Sequence, residues 1–358
     1  MRTILTPTNA VNSAFTLAFL LAAGSTAISS ANAATLTYDV TSVEYAPLVD
    51  GADSTVNGIT YLNQSLPITT VTANSSKWAI GTYPKPVITL RRGGYAPADD
   101  FGNYNNRVVP SSERLVGDPE TTVRAPQPTT AEAVLNQNNI FAAVDNVFVN
   151  AGYINGIQTD IERADFVFKD GLKTSSSLAI ALFDRGPATA HDAFKIAPVL
   201  SIDNAGNPTS YGSLLSIATG WGQPNLRPGG GATDNLPYTV LTNSGGVFGN
   251  VLSVNQQVGG LLISLPEIST ASTIYGYSLF SPDVTDGGNS GNLLDWKNSA
   301  FFPQNTPNAV GGLDLVAGSG QIVAVPEPST VLGSFAIGSL FVALKRKRTV
   351  ASKRSLNG

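Results

Sequence analysis

The chain of 358 residues has no cysteine, one histidine (His191), one methionine and only 13% charged residues. Absence of cysteine removes disulfides, thiolate zinc sites, iron–sulfur clusters and thiol nucleophiles together. A single histidine excludes a His-rich transition-metal site within one chain. Basic charge is scarce where a nucleic-acid binder needs it. Residues 34–325 hold 14 Lys and Arg against 24 Asp and Glu, a net of −10. Phosphate backbones demand the opposite balance, so no nucleic-acid partner is expected. Glycine and proline together make up 57 residues, about 16% of the chain, below the low-complexity range of roughly 25–30%. The body is therefore long enough, and apolar enough at 42% hydrophobic, to bury a sizeable core.

Both ends read as addresses. The run AFTLAFLLAA (Ala14–Ala23) is ten residues long, too short for a bilayer and right for the apolar region of a signal peptide. Ala31-Asn32-Ala33 is the small-x-small pattern that signal peptidase accepts, so Ala34 is expected to start the mature chain. At the other end, Pro326-Glu327-Pro328 precedes VLGSFAIGSLFVAL (Val331–Leu344), and Lys345-Arg346-Lys347-Arg348 follows at once. The uncharged run from Ser329 to Leu344 has 16 residues. At 1.5 Å per helical residue it reaches about 24 Å, against a hydrocarbon core of about 30 Å. The basic cluster is expected to stay cytoplasmic, with the acidic body outside.

Pro-Glu-Pro, a short apolar helix and a basic cluster, in that order, resemble the PEP-CTERM signal processed by a membrane-embedded exosortase. The ten residues after Arg348 (TVASKRSLNG) depart from that pattern, in which the chain usually stops soon after the basic cluster. The resemblance implies an exosortase-sorted protein at the cell surface or in the extracellular matrix. It also implies transient anchoring in the inner membrane and association with exopolysaccharide. A second resemblance rests on Asn139-Ile140-Phe141, Asn146–Asn150, Ile161–Phe166, Asp192–Ala197 and Gly312–Ala317. These blocks are similar to ones in cyanobacterial exosortase-dependent surface proteins, and none is a catalytic motif.

Between the addresses, short apolar segments alternate or run unbroken and are bounded by Gly, Pro, Asn and Asp. Leu36–Val40 and Asp165–Lys169 alternate, with Phe166 and Phe168 on one face and Val167 on the other. Leu178–Phe183 (LAIALF) is unbroken, as in a strand buried on both faces. Further strands are expected at Pro86–Leu90, Ile196–Ile202, Leu214–Thr219, Tyr238–Leu241, Leu261–Leu265, Thr273–Phe280 and Leu313–Ala317. Turns are expected at Asp170-Gly171, Asp203–Pro208 and Asn243–Gly246. One helix is expected, over Thr130–Ile140 with Thr130 as N-cap. The class is all-β, a β-sandwich or jelly-roll-like extracellular domain with one short helix. It is flanked by the signal peptide and the C-terminal hydrophobic helix. The organisation expected is signal peptide 1–33, a strand-and-loop region 34–129, a β-sandwich domain 130–321, the sorting signal 326–348 and a basic tail 349–358.

Three constellations invite chemistry. His191 and Ser290, within Gly288-Asn289-Ser290-Gly291, occur in the order of a trypsin-like protease, with Asp203 or Asp234 needed to orient the imidazole. The run of turn residues around Ser290 accounts for itself without catalysis. Asp283, Asp286, Asn289, Asn292 and Asp295 bring oxygen donors together as a Ca²⁺ site would, although their spacing is not that of an EF-hand. The same residues also suit tight turns. Trp221, in Gly220-Trp221-Gly222-Gln223-Pro224, is the tryptophan of the three best placed to meet a glycan, whereas Trp78 and Trp296 are expected in the core. The reading is a non-catalytic, exosortase-sorted surface or matrix protein with no cofactor unless Ca²⁺. Its processing partners are signal peptidase and exosortase. The rivals are a secreted hydrolase, either the protease or a carbohydrate-active enzyme using carboxylates such as Glu162 and Asp165, and a structural coat subunit.

Overall fold

Alternation of side chains along extended backbone lets a single strand serve two cores, and Leu178–Gly186 does so. All nine of its residues are buried; Leu178, Ile180 and Leu182 join one apolar cluster, while Ala179, Ala181 and Phe183 join another. This and the rest of the architecture come from a computed structural model. It describes residues 37–56, 58–81, 83–92, 109–113, 119, 121–127, 130–148, 161–186, 191–222, 225–227, 236–244, 247–303 and 313–325. The signal-peptide positions Ala31, Ala33 and Ala34 lie outside the described residues. So do Pro326, Glu327, Pro328 and the basic cluster Lys345, Arg346, Lys347 and Arg348.

The described residues form twenty-one strands. The first ten are β1 (Thr37–Tyr45), β2 (Val49–Asp50), β3 (Ser54–Val56), β4 (Ile59–Tyr61), β5 (Gln64–Ser65), β6 (Ile68–Ala73), β7 (Ser76–Ile80), β8 (Val87–Arg92), β9 (Val109–Glu113) and β10 (Thr122–Val123). After helix α1 (Ala131–Leu135) come β11 (Asn139–Val147), β12 (Ile161–Lys173), β13 (Leu178–Gly186), β14 (Phe194–Ile202), β15 (Pro208–Tyr211) and β16 (Leu215–Ile217). The last are β17 (Leu236–Ser244), β18 (Val247–Ser264), β19 (Thr273–Phe280), β20 (Leu313–Ala317) and β21 (Gln321–Ala324), with α2 (Leu265–Ile268) between β18 and β19. The chain is all-β.

The larger sheet closes on itself in the order β1-β18-β17-β9-β11-β20-β13-β21-β7-β6. A further antiparallel pairing, β13 with β18 from Ala179↔Ser264 to Gly186↔Gln257, crosses this path. Strands from before and after residue 130 are thus interleaved in one sheet. A second sheet of six strands runs β15-β14-β19-β12-β8, with β16 also on β14. Two small sheets, β10-β4-β3 and β2-β5, complete the set.

Three apolar clusters follow from this layering. The largest packs the inner face of the second sheet, including Ile88, Ala164, Phe166, Phe168, Ile196 and Leu279, onto β13, β18 and β20 of the closed sheet. The second is drawn from the strands of the closed sheet together with Leu226, and contains Val40, Val71, Trp78, Phe183 and Leu262. The third lies on the outer face of the second sheet, where Val284, Leu293 and Phe302 of the segment 281–303 cover Ala197, Val199 and Phe280.

Two local expectations change. The helix begins at the expected cap, the Thr130 hydroxyl accepting from the Ala133 amide at 3.0 Å, but α1 ends at Leu135. Asn139 and Ile140 are already strand, because the fully buried Ile140 belongs to the core of the closed sheet. Asp170-Gly171 makes no chain reversal. It is a bulge inside β12, where the register to β19 shifts between Val167 and Leu172. Gly171 there has φ of +71°, a conformation that glycine adopts without a Cβ penalty.

Candidate functional site

The densest polar constellation among the described residues centres on Asp165, one of the two carboxylates offered for a carbohydrate-active enzyme, and includes an arginine, Arg163, that the sequence reading did not single out. Arg163 and Asp165 stand two residues apart on β12, hence on one face, and both are buried. Asp165 Oδ1 accepts from Arg163 Nε (2.8 Å), Ser278 Oγ (2.6 Å) and Tyr211 OH (3.2 Å). Its Oδ2 accepts from Arg91 Nε (2.8 Å) and Arg163 Nη2 (3.2 Å). Five donors saturate one carboxylate, and both cations adjoining it are held by further bonds. Arg163 Nη1 donates to the carbonyls of Leu293 (2.6 Å) and Leu294 (3.2 Å), and Arg91 Nη2 donates to Asn207 Oδ1 at 2.8 Å. The Trp296 ring carries both guanidinium groups, with Arg163 at 5.0 Å and Arg91 at 5.1 Å, while its indole N–H donates to the Arg92 carbonyl. Burial, reinforced by the charge of Asp165, pushes the Tyr211 phenol far above its usual range, so it remains a proton donor. The arrangement clamps segment 281–303 onto the sheet. It leaves Asp165 no lone pair with which to accept a substrate proton.

Ser290 sits in that clamped segment, and its hydroxyl donates to the Tyr211 carbonyl at 2.9 Å. His191 lies elsewhere, fully buried. Its Nδ1 donates to the Trp221 carbonyl at 2.7 Å, which places the ring proton on Nδ1. The ring packs on the Gly259 backbone, where an added Cβ would come within 2.4 Å of Cε1 and 2.6 Å of Nε2. Burial pushes the imidazole below its usual pKa, favouring the neutral form. Nucleophilic activation needs a serine hydroxyl bonded to the imidazole. Here each of the two groups has a different partner.

Trp221 is 6% exposed, which corrects its reading as a glycan platform. Its ring packs on His191 (5.2 Å between centroids) and edge-on to Phe194 (6.0 Å), and its N–H donates to the Asp192 carbonyl. The turn-rich sequence around it serves to fold the segment over this core, with Gly220 and Gly222 at positive φ. Trp78 is buried in the core of the closed sheet.

The Ca²⁺ candidates are gathered in consecutive turns, where several of their side chains bond backbone groups. Asp286 Oδ1 accepts from the Gly288 amide, Asn289 Oδ1 from the Gly291 amide, and Asn292 Nδ2 donates to the Asp286 carbonyl. Asp283, half-buried, stands beside Val284 of the same segment. Among the described residues no group of three or more His, Cys, Asp or Glu side chains is placed to hold a metal ion.

The comparison that bears on function concerns the tail. Residues 324–348 match the family model of the PEP-CTERM protein-sorting motif. No curated protein and no solved structure matches the chain. The motif defines the class: a protein secreted to the cell surface by a sorting signal. The processing enzyme that this signal implies is an exosortase. Among the described residues no helix is long and apolar enough to cross a membrane, and Val331–Leu344 lies outside them.

Proposed function

We propose that the β-rich body is a non-catalytic surface or matrix subunit, and that its tail anchors it in the inner membrane only until exosortase removes the segment beyond Pro-Glu-Pro. The observation that carries the non-catalytic reading is the saturation of Asp165. The most elaborate polar cluster in the described body is spent on holding a loop. The separation of partners at Ser290 and His191 supports it further. Association with exopolysaccharide remains part of the reading through the surface address, and with Trp221 buried it needs another surface of the body. Mass spectrometry of surface-extracted protein tests the processing. The expected mature form lacks peptides spanning Ser339–Arg346, and recovery of those peptides in the surface fraction would make the tail a permanent anchor.

A further inference from the structure

The β7–β8 connection, the bulged end of β12 and the β12–β13 turn enclose an open groove of about 570 Å³. Residues 34–325 contain six lysines, and three of them, Lys85, Lys169 and Lys173, line this one groove. Among the described residues on its walls, Asp170 is the only acid. In a body of net charge −10 this is a local reversal of sign. Lys169 and Lys173 are exposed and form no ion pair with a described residue, while Lys85 reaches the Asn136 carbonyl at 3.1 Å. Val87, 51% exposed, adds an apolar wall.

The described chain ends on the rim of this groove. Ala324 of β21 pairs with Leu178, and the Val325 amide donates to the Ser177 carbonyl at 3.0 Å; Ser177 and Leu178 both line the groove. Ser177 belongs to the β12–β13 turn, in which the Leu178 amide donates to the Ser175 carbonyl. The next residues in sequence are Pro326, Glu327 and Pro328. Glu327 lies two residues beyond Val325 in the sequence, at most about 7 Å of chain, a span short enough for its carboxylate to reach the groove.

We propose that the groove is the docking site for the chain's own Pro326-Glu327-Pro328 segment, with the Glu327 carboxylate facing the ammonium groups of Lys169 and Lys173. Two prolines stiffen the segment and lower the entropy lost on docking. A tether of two residues makes the contact intramolecular at millimolar effective concentration or above, so weak, exposed ion pairs suffice. The proposal rests on the sorting-motif reading for its purpose: the recognition segment is presented against a folded body, so that a processing enzyme meets the two together.

The cysteine-free sequence provides a clean test in the purified full-length chain in detergent. Ser175→Cys with Ser329→Cys places one thiol in the groove and one just beyond the Pro-Glu-Pro segment, leaving Glu327 intact. Ser216→Cys with Ser329→Cys is the control, since Ser216 is exposed on β16, three strand pairings away from β12. The groove pair should oxidise to an intramolecular disulfide faster than the control. Lys169→Glu with Lys173→Glu should slow it by roughly fivefold, and 1 M salt should remove that difference. Adding Glu327→Lys to the charge-reversed body should restore the rate. Equal rates for groove and control pairs, or indifference to charge reversal, would overturn the proposal. Circular dichroism of each variant checks folding. Because no exosortase is present, this result stands apart from sorting: normal processing of Glu327→Ala in the native host would refute the sorting reading alone.

Discussion

On the inner face of β12, Ala164, Phe166 and Phe168 meet the strands of the closed sheet, and on its outer face Arg163, paired with Asp165, meets the segment 281–303. Both faces are buried, yet they hold their partners by different physics. The inner face spreads its stabilisation over many apolar contacts, each worth little and each replaceable by a neighbour of similar volume. The outer face concentrates it in one carboxylate and two guanidinium groups, whose desolvation is offset only while every partner is present. A strand can therefore carry a tolerant face and an intolerant one at once.

Substitutions on the two faces should separate these regimes. Asp165→Asn leaves Arg163 buried beside a neutral amide, and the expected loss is about 3–5 kcal/mol in denaturant unfolding. A loss under about 1 kcal/mol would show that the outer face is as tolerant as the inner. Phe166→Leu on the inner face should cost about 1.5 kcal/mol or less, since the apolar layer can repack around a smaller hydrophobe. Away from either face, Thr130→Ala removes the cap of α1 and should cost about 1 kcal/mol.

A pH series distinguishes burial of a single charge from burial of a network. Burial pushes Asp192 up to about 6 from an ordinary 3.8, so between these values the folded state holds a proton that the unfolded chain releases. Its contribution to stability is present below about 4 and is lost as pH rises through 6. Asp192→Asn should therefore be more stable than the parent at pH 7, with the difference vanishing near pH 4 in thermal melts. The smallest effect is expected at the exposed Lys77–Glu44 pair, where Lys77→Ala should leave the melting temperature unchanged.

Much of the strand content was legible because burial on two faces leaves a mark. Leu178–Phe183 is an unbroken apolar run and proved to feed two cores, while Thr273–Phe280 and Leu313–Ala317 begin and end where their composition changes. Closure of the larger sheet was not legible, since pairing between β1 and β18 joins residues more than two hundred positions apart and leaves no local signal. Nor was the length of β18, of which only the end was expected as strand, from Leu261. Gly259 and Gly260 within it are close approaches, of His191 to Gly259 and of Val40 and Leu226 to Gly260. The polar clamp left a signal that was missed: Arg163 and Asp165, two apart in an otherwise apolar strand, must share a buried face and so must find partners. Trp221 was misplaced for the converse reason, because a turn-rich segment can fold inward over a core as readily as outward.

The central claim is that residues 324–348 are a sorting signal read by exosortase and that Glu327 is part of what is read. Replacing Glu327 by Ala in the native host, and following precursor and mature forms by immunoblot of membrane and surface fractions, tests it most directly. The account predicts normal export, a precursor retained in the membrane fraction and little surface protein. Normal processing and display of Glu327→Ala would contradict it.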